Sequence, residues 1–121
     1  MKIWLAVFLG GGLGSALRFG ITRLVLLAPA SIFPWATLIS NSVASGILAY
    51  VMLRIDGEAA DHPLFRAFMS IGFCGGLSTF STFSYENFLL LRGGYSIIAL
   101  VNMVISLALC LFILQLFARS S

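Results

Sequence analysis

Four long apolar segments constrain the fold of this chain more than any other feature. They cover residues 3–27, 34–53, 64–91 and 95–118, and the connections between them are short. As a helix with a rise of about 1.5 Å per residue, each segment is long enough to cross a hydrocarbon core of about 30 Å. We therefore expect an all-α integral membrane protein with four transmembrane helices in a single domain, residues 1–121.

The composition agrees with this interpretation, because 60% of the residues are hydrophobic and only 9% are charged. Soluble domains carry about 25% charged residues. The first segment could also be a cleavable signal peptide, since Lys2 precedes it. Its apolar stretch is much longer than a typical signal peptide requires, and three further segments follow. We expect the first segment to be kept as a span.

Basic residues are almost evenly divided between the two ends of the predicted spans. One side carries Lys2, Arg54, Arg66 and Arg119, and the other carries Arg23 and Arg92, with Arg18 added if its side chain reaches the interface. The positive-inside rule then gives only a weak orientation, so the chain could insert either way. Four short helices hardly enclose a pathway, and dual insertion would permit an antiparallel homodimer with the route between subunits.

Small residues recur four positions apart in the first segment, in the pairs Gly10–Gly14, Gly11–Ser15 and Gly12–Ala16. This spacing lets membrane helices approach closely. Polar residues recur in the same way elsewhere: Thr37, Asn41 and Ser45 in the second segment, and Asn102, Ser106 and Cys110 in the fourth. A lone serine often bonds its own helix. Two stripes that each contain an asparagine predict a polar track or a polar interface.

The third segment contains the stretch GGLSTFSTFS at residues 75–84. Gly75 and Gly76 can leave helical geometry at little cost, and the hydroxyls that follow can satisfy the freed backbone groups. A broken helix is tolerated at membrane depth where it is buried or lines a cavity, and its carbonyls often hold a small cation. The alternative is a continuous helix with a soft kink. We expect a helix broken near its middle.

Phe80 and Phe83 share one helical face in this stretch. Most such pairs are packing, but the positive edge of an aromatic ring can stabilise an anion. Glu86 follows one turn later as the single acid within a predicted span. It could serve as a gate, a proton carrier or a vestibule residue.

Three motifs resemble the small dual-topology fluoride channels, the Fluc or CrcB family: GGGLGSALR at 10–18, ATLISN at 36–41 and GFCGGLSTFSTFSYE at 72–86. The resemblance covers nearly the whole chain. It implies an antiparallel homodimer with two pores that conduct fluoride passively, in the bacterial cytoplasmic (inner) membrane. The implied partners are a second copy of the chain, fluoride and lipid, with no nucleic acid.

The resemblance also implies site residues. The expected fluoride-pore residues are Phe80, Phe83, Asn41, Ser81, Thr37, Ser106, Arg18 and Glu86. The ring edges of the two phenylalanines would contact fluoride. Backbone carbonyls of Gly75 and Ser78 would hold a structural sodium ion between the subunits. The chain departs from the family pattern at Ala36, Ser40 and Asn102, where glycine, valine and tyrosine are common.

Two other functions fit a four-span dimer. A small proton-coupled multidrug or cation antiporter needs a buried acid, usually in its first span, whereas this first segment has none. A non-transporting assembly subunit would use the glycine faces but would leave the polar stripes without a purpose. No catalytic constellation is present in the sequence, so we do not expect an enzyme.

Overall fold

The structure, a computed structural model, describes residues 1–54 and 62–119, and these residues form helices joined by short turns. The helices are α1 (Lys2–Val25), α2 (Trp35–Ala49, continued by a π-helical turn, Tyr50–Arg54), α3 (Pro63–Arg66, the π-helical stretch Ala67–Cys74 and Gly75–Leu77), α4 (Ser81–Arg92) and α5 (Ser96–Arg119). Most of the polar loop between the second and third segments falls outside the described residues.

The described residues contain helices and turns only, as expected for an all-α membrane protein. Helices α1 and α5, and α2 with its extension to Leu53, are each long and apolar enough to cross a bilayer. Large apolar side chains such as Trp4 and Phe8 are exposed along them, as expected for surfaces that meet lipid. The third predicted segment is divided into α3 and α4, and neither helix alone reaches spanning length. The helix ends lie within a few residues of the predicted segment ends.

The predicted break in the third segment is present, but it begins later than the sequence suggested. Gly75 keeps helical angles, with φ −63° and ψ −37°, and Gly76 is also helical. The chain first leaves helical geometry at Ser78, where ψ is 159°. Thr79 and Phe80 complete the break, and α4 begins at Ser81. The expected break near the middle of the segment is therefore present, although the two glycines that could have unwound stay helical.

Gly76 is needed for the close packing of α3 on α1, whereas a Cβ atom on Gly75 would meet nothing within 4 Å. A Cβ atom on Gly14 would collide with the carbonyl oxygen of Phe73, and one on Gly76 would collide with the carbonyl oxygen of Gly11. Backbones can approach this closely only where side chains are absent. Gly12, by contrast, faces open space. Part of the predicted glycine surface is thus used within one chain.

Helix α2 contacts α1, α3 and α5, while α4 packs on α5. The small apolar core contains Leu38, Ala44, Val51, Leu77 and Ala99. This arrangement brings the break between α3 and α4 against α2 and α5.

Candidate functional site at the helix break

An open groove of about 510 Å³ lies where the helix break faces α2 and α5. Its lining residues are Asn41, Ser45, Ser78, Thr79, Phe80, Phe83, Met103, Ser106, Leu107 and Cys110. The polar stripes of α2 and α5 therefore meet the phenylalanine motif along one surface, although the three lie far apart in sequence. Four of the expected pore residues, Asn41, Phe80, Phe83 and Ser106, line this groove, and so does Ser78 from the expected sodium site.

Asn41 supports the break directly. The Thr79 N–H donates to the Asn41 Oδ1 at 2.8 Å, and the Asn41 Nδ2 donates to the Thr79 carbonyl oxygen at 3.3 Å. A carboxamide carries a donor and an acceptor, so one side chain satisfies both backbone groups of Thr79. The Thr79 hydroxyl in turn accepts from the Thr82 N–H at 3.2 Å, as a capping residue does.

Arg18 supports the other side of the break from α1. In a continuous helix the Gly76 carbonyl would accept from the Phe80 N–H. Here the Arg18 Nε donates to that carbonyl at 3.1 Å. This bond to the backbone lets Arg18 help to hold the chain at the break. Arg18 does not line the groove.

The carbonyl oxygens of Gly75 and Ser78 also lose their helical partners at the break. In a continuous helix, Gly75 would accept from the Thr79 N–H and Ser78 from the Thr82 N–H. Those N–H groups donate instead to Asn41 and to the Thr79 hydroxyl. The Ser78 hydroxyl donates backward to the Cys74 carbonyl at 2.8 Å. What Gly75 and Ser78 can offer a ligand is therefore carbonyl oxygen.

The two phenylalanine rings border the groove in an edge-to-face arrangement. Their centroids are 6.2 Å apart and their planes cross at 87°. Phe83 is half-buried, whereas Phe80 is 69% exposed in the single chain. A large aromatic side chain in this position presents its ring to whatever covers the groove.

A buried row of amides joins α4 to α5 beside the groove. The Asn87 Nδ2 donates to the Phe83 carbonyl at 3.0 Å, the Asn102 Nδ2 to the Asn87 Oδ1 at 2.9 Å, and the Ser106 hydroxyl to the Asn102 Oδ1 at 3.1 Å. The sequence singled out Asn102 and Ser106 but missed Asn87. Its one mark in the sequence is an amide within an apolar segment, which does not indicate the partner that faces it.

Glu86, Thr37 and Ser81 lie apart from this groove. The Glu86 carboxyl lies close to Thr37, and its Oε1 is buried without a hydrogen-bond partner among the described residues. Glu86 borders a second groove, of about 340 Å³, formed with residues 31–34 and Tyr95. Ser81 is exposed at the start of α4. The structure thus brings together part of the predicted pore set and places these three elsewhere.

Comparison with known proteins supports the family resemblance that the three sequence motifs carry. The family model described as CrcB-like protein, Camphor Resistance (CrcB), matches residues 5–117. The chain is 42% identical over 115 residues to the Fluoride-specific ion channel FluC of Pyrococcus horikoshii, covering 95% of this chain and 92% of the relative.

Two further relatives carry the same name. The protein from Thermococcus kodakarensis is 45% identical over 113 residues, covering 90% of each chain. The protein from Shewanella pealeana is 38% identical over 113 residues, covering 93% of this chain and 90% of the relative. By the extent of both kinds of match, this chain belongs to the CrcB-like protein family.

Proposed function

We propose that the chain is a fluoride-selective ion channel that exports fluoride passively. The observation that carries this proposal is the groove in which Phe80, Phe83 and the break held by Asn41 converge. The relatives in its family are named fluoride-specific ion channels, which also places the chain among channels and outside the enzymes.

The groove suits a small anion because its polar groups are spread along an apolar wall. Fluoride is strongly hydrated, so a pore must replace much of its water shell. Ring edges carry partial positive charge, and hydroxyl groups can donate hydrogen bonds. Phe80, Phe83 and Ser45 supply such groups along the groove. Its lining residues include no Lys or Arg, which would bind the ion strongly and slow its release.

We further propose that α3 and α4 together make the remaining crossing, giving four spans in the cytoplasmic membrane. A second copy in the opposite orientation would cover the groove, whose border includes the exposed Phe80 ring. Two such copies would enclose two pores. The near balance of basic residues supports insertion in both orientations.

The freed carbonyls of Gly75 and Ser78 fit a sodium ion between the subunits, because hard cations prefer oxygen ligands. The described residues contain no group of three or more His, Cys, Asp or Glu side chains that could hold a metal. Backbone carbonyl oxygen is thus the metal ligand that the break offers. A bound sodium ion would supply a fixed positive charge at the dimer centre.

The proposal is tested by anion efflux from liposomes that contain the purified protein. A fluoride electrode would follow release while potassium and valinomycin clamp the voltage, with chloride measured in parallel. We expect rapid fluoride release without chloride leak. Folded, dimeric protein that releases no fluoride would contradict the proposal and would favour proton-coupled cation export through Glu86.

A further inference from the structure

The hydrogen bonds in the row of amides between α4 and α5 all point the same way, from donor to acceptor, and the row ends at the groove. Asn87, Asn102 and Ser106 are 4%, 1% and 6% exposed, so water does not compete for their hydrogen bonds. Each group donates to the one before it, starting from the Phe83 carbonyl. Ser106 is the last member, and it also lines the groove.

The Phe83 carbonyl fixes this direction because a carbonyl oxygen can only accept. The Asn87 amide must turn its Nδ2 toward that oxygen, since a flipped amide would place two acceptor oxygens about 3.0 Å apart. The Asn87 Oδ1 then faces α5 and requires a donor, which the Asn102 Nδ2 provides. The Asn102 Oδ1 is left facing Ser106 and requires the hydroxyl hydrogen.

The Ser106 hydroxyl therefore has no hydrogen left for an occupant of the groove. A hydroxyl has one hydrogen and two lone pairs. Once the hydrogen is donated to Asn102, only lone pairs remain for an ion beside Ser106. Lone pairs repel an anion.

We propose that Asn87 and Asn102 act as positioning residues that hold Ser106 as an acceptor and so restrain fluoride binding in the groove. This inference rests on the proposed function. Resemblance to the fluoride channels implies that Ser106 contributes to the fluoride pore, whereas here its hydroxyl oxygen weakens fluoride binding. The positioning role also gives a function to Asn102, which departs from the tyrosine common at this position.

The test removes both amides at once. The double variant Asn87→Leu/Asn102→Leu frees the Ser106 hydroxyl. It leaves no amide without a partner, and we expect it to fold because replacing both partners of a buried hydrogen bond by apolar groups is nearly neutral for stability. It would be compared with unmodified protein, with Ser106→Ala, and with the triple variant. The readout is the fluoride concentration that gives half-maximal efflux from liposomes.

In the double variant we expect the half-maximal concentration to fall about tenfold, because one additional hydrogen bond to the ion tightens binding by about that factor. In the Ser106→Ala background the same double change should cause no further shift. If the amides had only a structural role, the double change would shift the half-maximal concentration equally in the unmodified and the Ser106→Ala backgrounds. This result would overturn the inference. So would an unshifted double variant.

Ser106→Ala alone provides a second test if the double variant does not fold. Removing an oxygen whose lone pairs face the ion should lower the half-maximal concentration. A rise would mean that Ser106 donates to fluoride, which contradicts the inference while leaving the channel function in place. Absence of fluoride efflux from the unmodified protein would instead remove the channel function and this inference together.

Discussion

Asn41 is the residue on which the helix break depends most directly. Its two hydrogen bonds to Thr79 replace the helical partners that this backbone unit has lost. A buried backbone group without a partner is costly to folding, and more so in hydrocarbon, where water is absent. The side chain therefore stabilises the geometry that places Phe80 at the groove.

We expect Asn41→Leu to lower the free energy of unfolding by about 2–4 kcal/mol, because both Thr79 groups lose their partner. Fluoride efflux should fall with it. Unfolding would be followed by denaturant titration in detergent micelles. Ser45→Ala is the matched control on the same helix and groove, and we expect it to change stability by no more than about 0.5 kcal/mol. Equal losses in the two variants would contradict this role for Asn41.

Phe80 allows a separate test of the ion route. We expect Phe80→Ile to reduce fluoride efflux to the level of protein-free liposomes, because isoleucine keeps the bulk but has no ring edge. The dimer should remain intact by size-exclusion chromatography. Phe19→Ile is the control, since Phe19 is an exposed ring on α1 that does not line the groove. Undiminished efflux in the Phe80 variant would exclude this route.

The sequence indicated single residues of the groove where a pattern within one segment was enough to identify them. Phe80, Phe83 and Asn41 could be picked out from a motif and a stripe, and the structure brings them together. Asn87 could not be picked out, because its value depends on Asn102 lying opposite it across the α4–α5 contact. A periodic pattern within one helix carries no information about the partner that faces it.

At the scale of helices, the α1–α3 contact shows that a pair of glycines can be read in two ways. Gly75 and Gly76 were interpreted as points of freedom, but Gly76 is required for close approach to α1. Both uses require the absence of a side chain, so the sequence alone could not separate them. The break follows at Ser78, where hydroxyls and Asn41 can replace the missing helical bonds.

We expect Gly14→Ala to destabilise the chain by about 3 kcal/mol, because its Cβ meets backbone, which cannot turn aside. Gly12→Ala is the matched control on the same helix, where a Cβ meets nothing within 4 Å. It should leave stability unchanged or raise it by up to about 1 kcal/mol. Denaturant titration of both variants would check this, and similar losses would show that α1 and α3 do not pack through these glycines.

The break also predicts how a sodium ion is held. We expect Ser78→Ala to keep sodium-dependent fluoride efflux, because the Ser78 hydroxyl is already donated to Cys74 and the proposed ligand is the carbonyl. Efflux would be compared in sodium and in a sodium-free medium, with unmodified protein alongside. Loss of the sodium dependence in this variant alone would indicate coordination by the hydroxyl.

At the scale of the whole molecule, the proposed dimer requires chains in both orientations. A reporter at the C-terminus should be found on both faces of the membrane for the unmodified protein. Arg23→Gln/Arg92→Gln should move most chains to the orientation with both termini in the cytoplasm. The remaining basic residues near the predicted span ends, Lys2, Arg54, Arg66 and Arg119, then lie on one side, while Arg18 is bonded to the Gly76 carbonyl. Fluoride efflux should fall as antiparallel pairs become rare. A single orientation in the unmodified protein would contradict the antiparallel dimer.

The two side chains that support the break, Arg18 and Asn41, both precede it in the chain. During synthesis on the ribosome, α1 and α2 therefore enter the membrane before the segment that needs them. Had these partners followed the break, its unpaired backbone groups would have waited in lipid for a later helix. The order of residues along the chain thus matches the order in which a membrane protein is inserted, and the break can close as soon as it arrives.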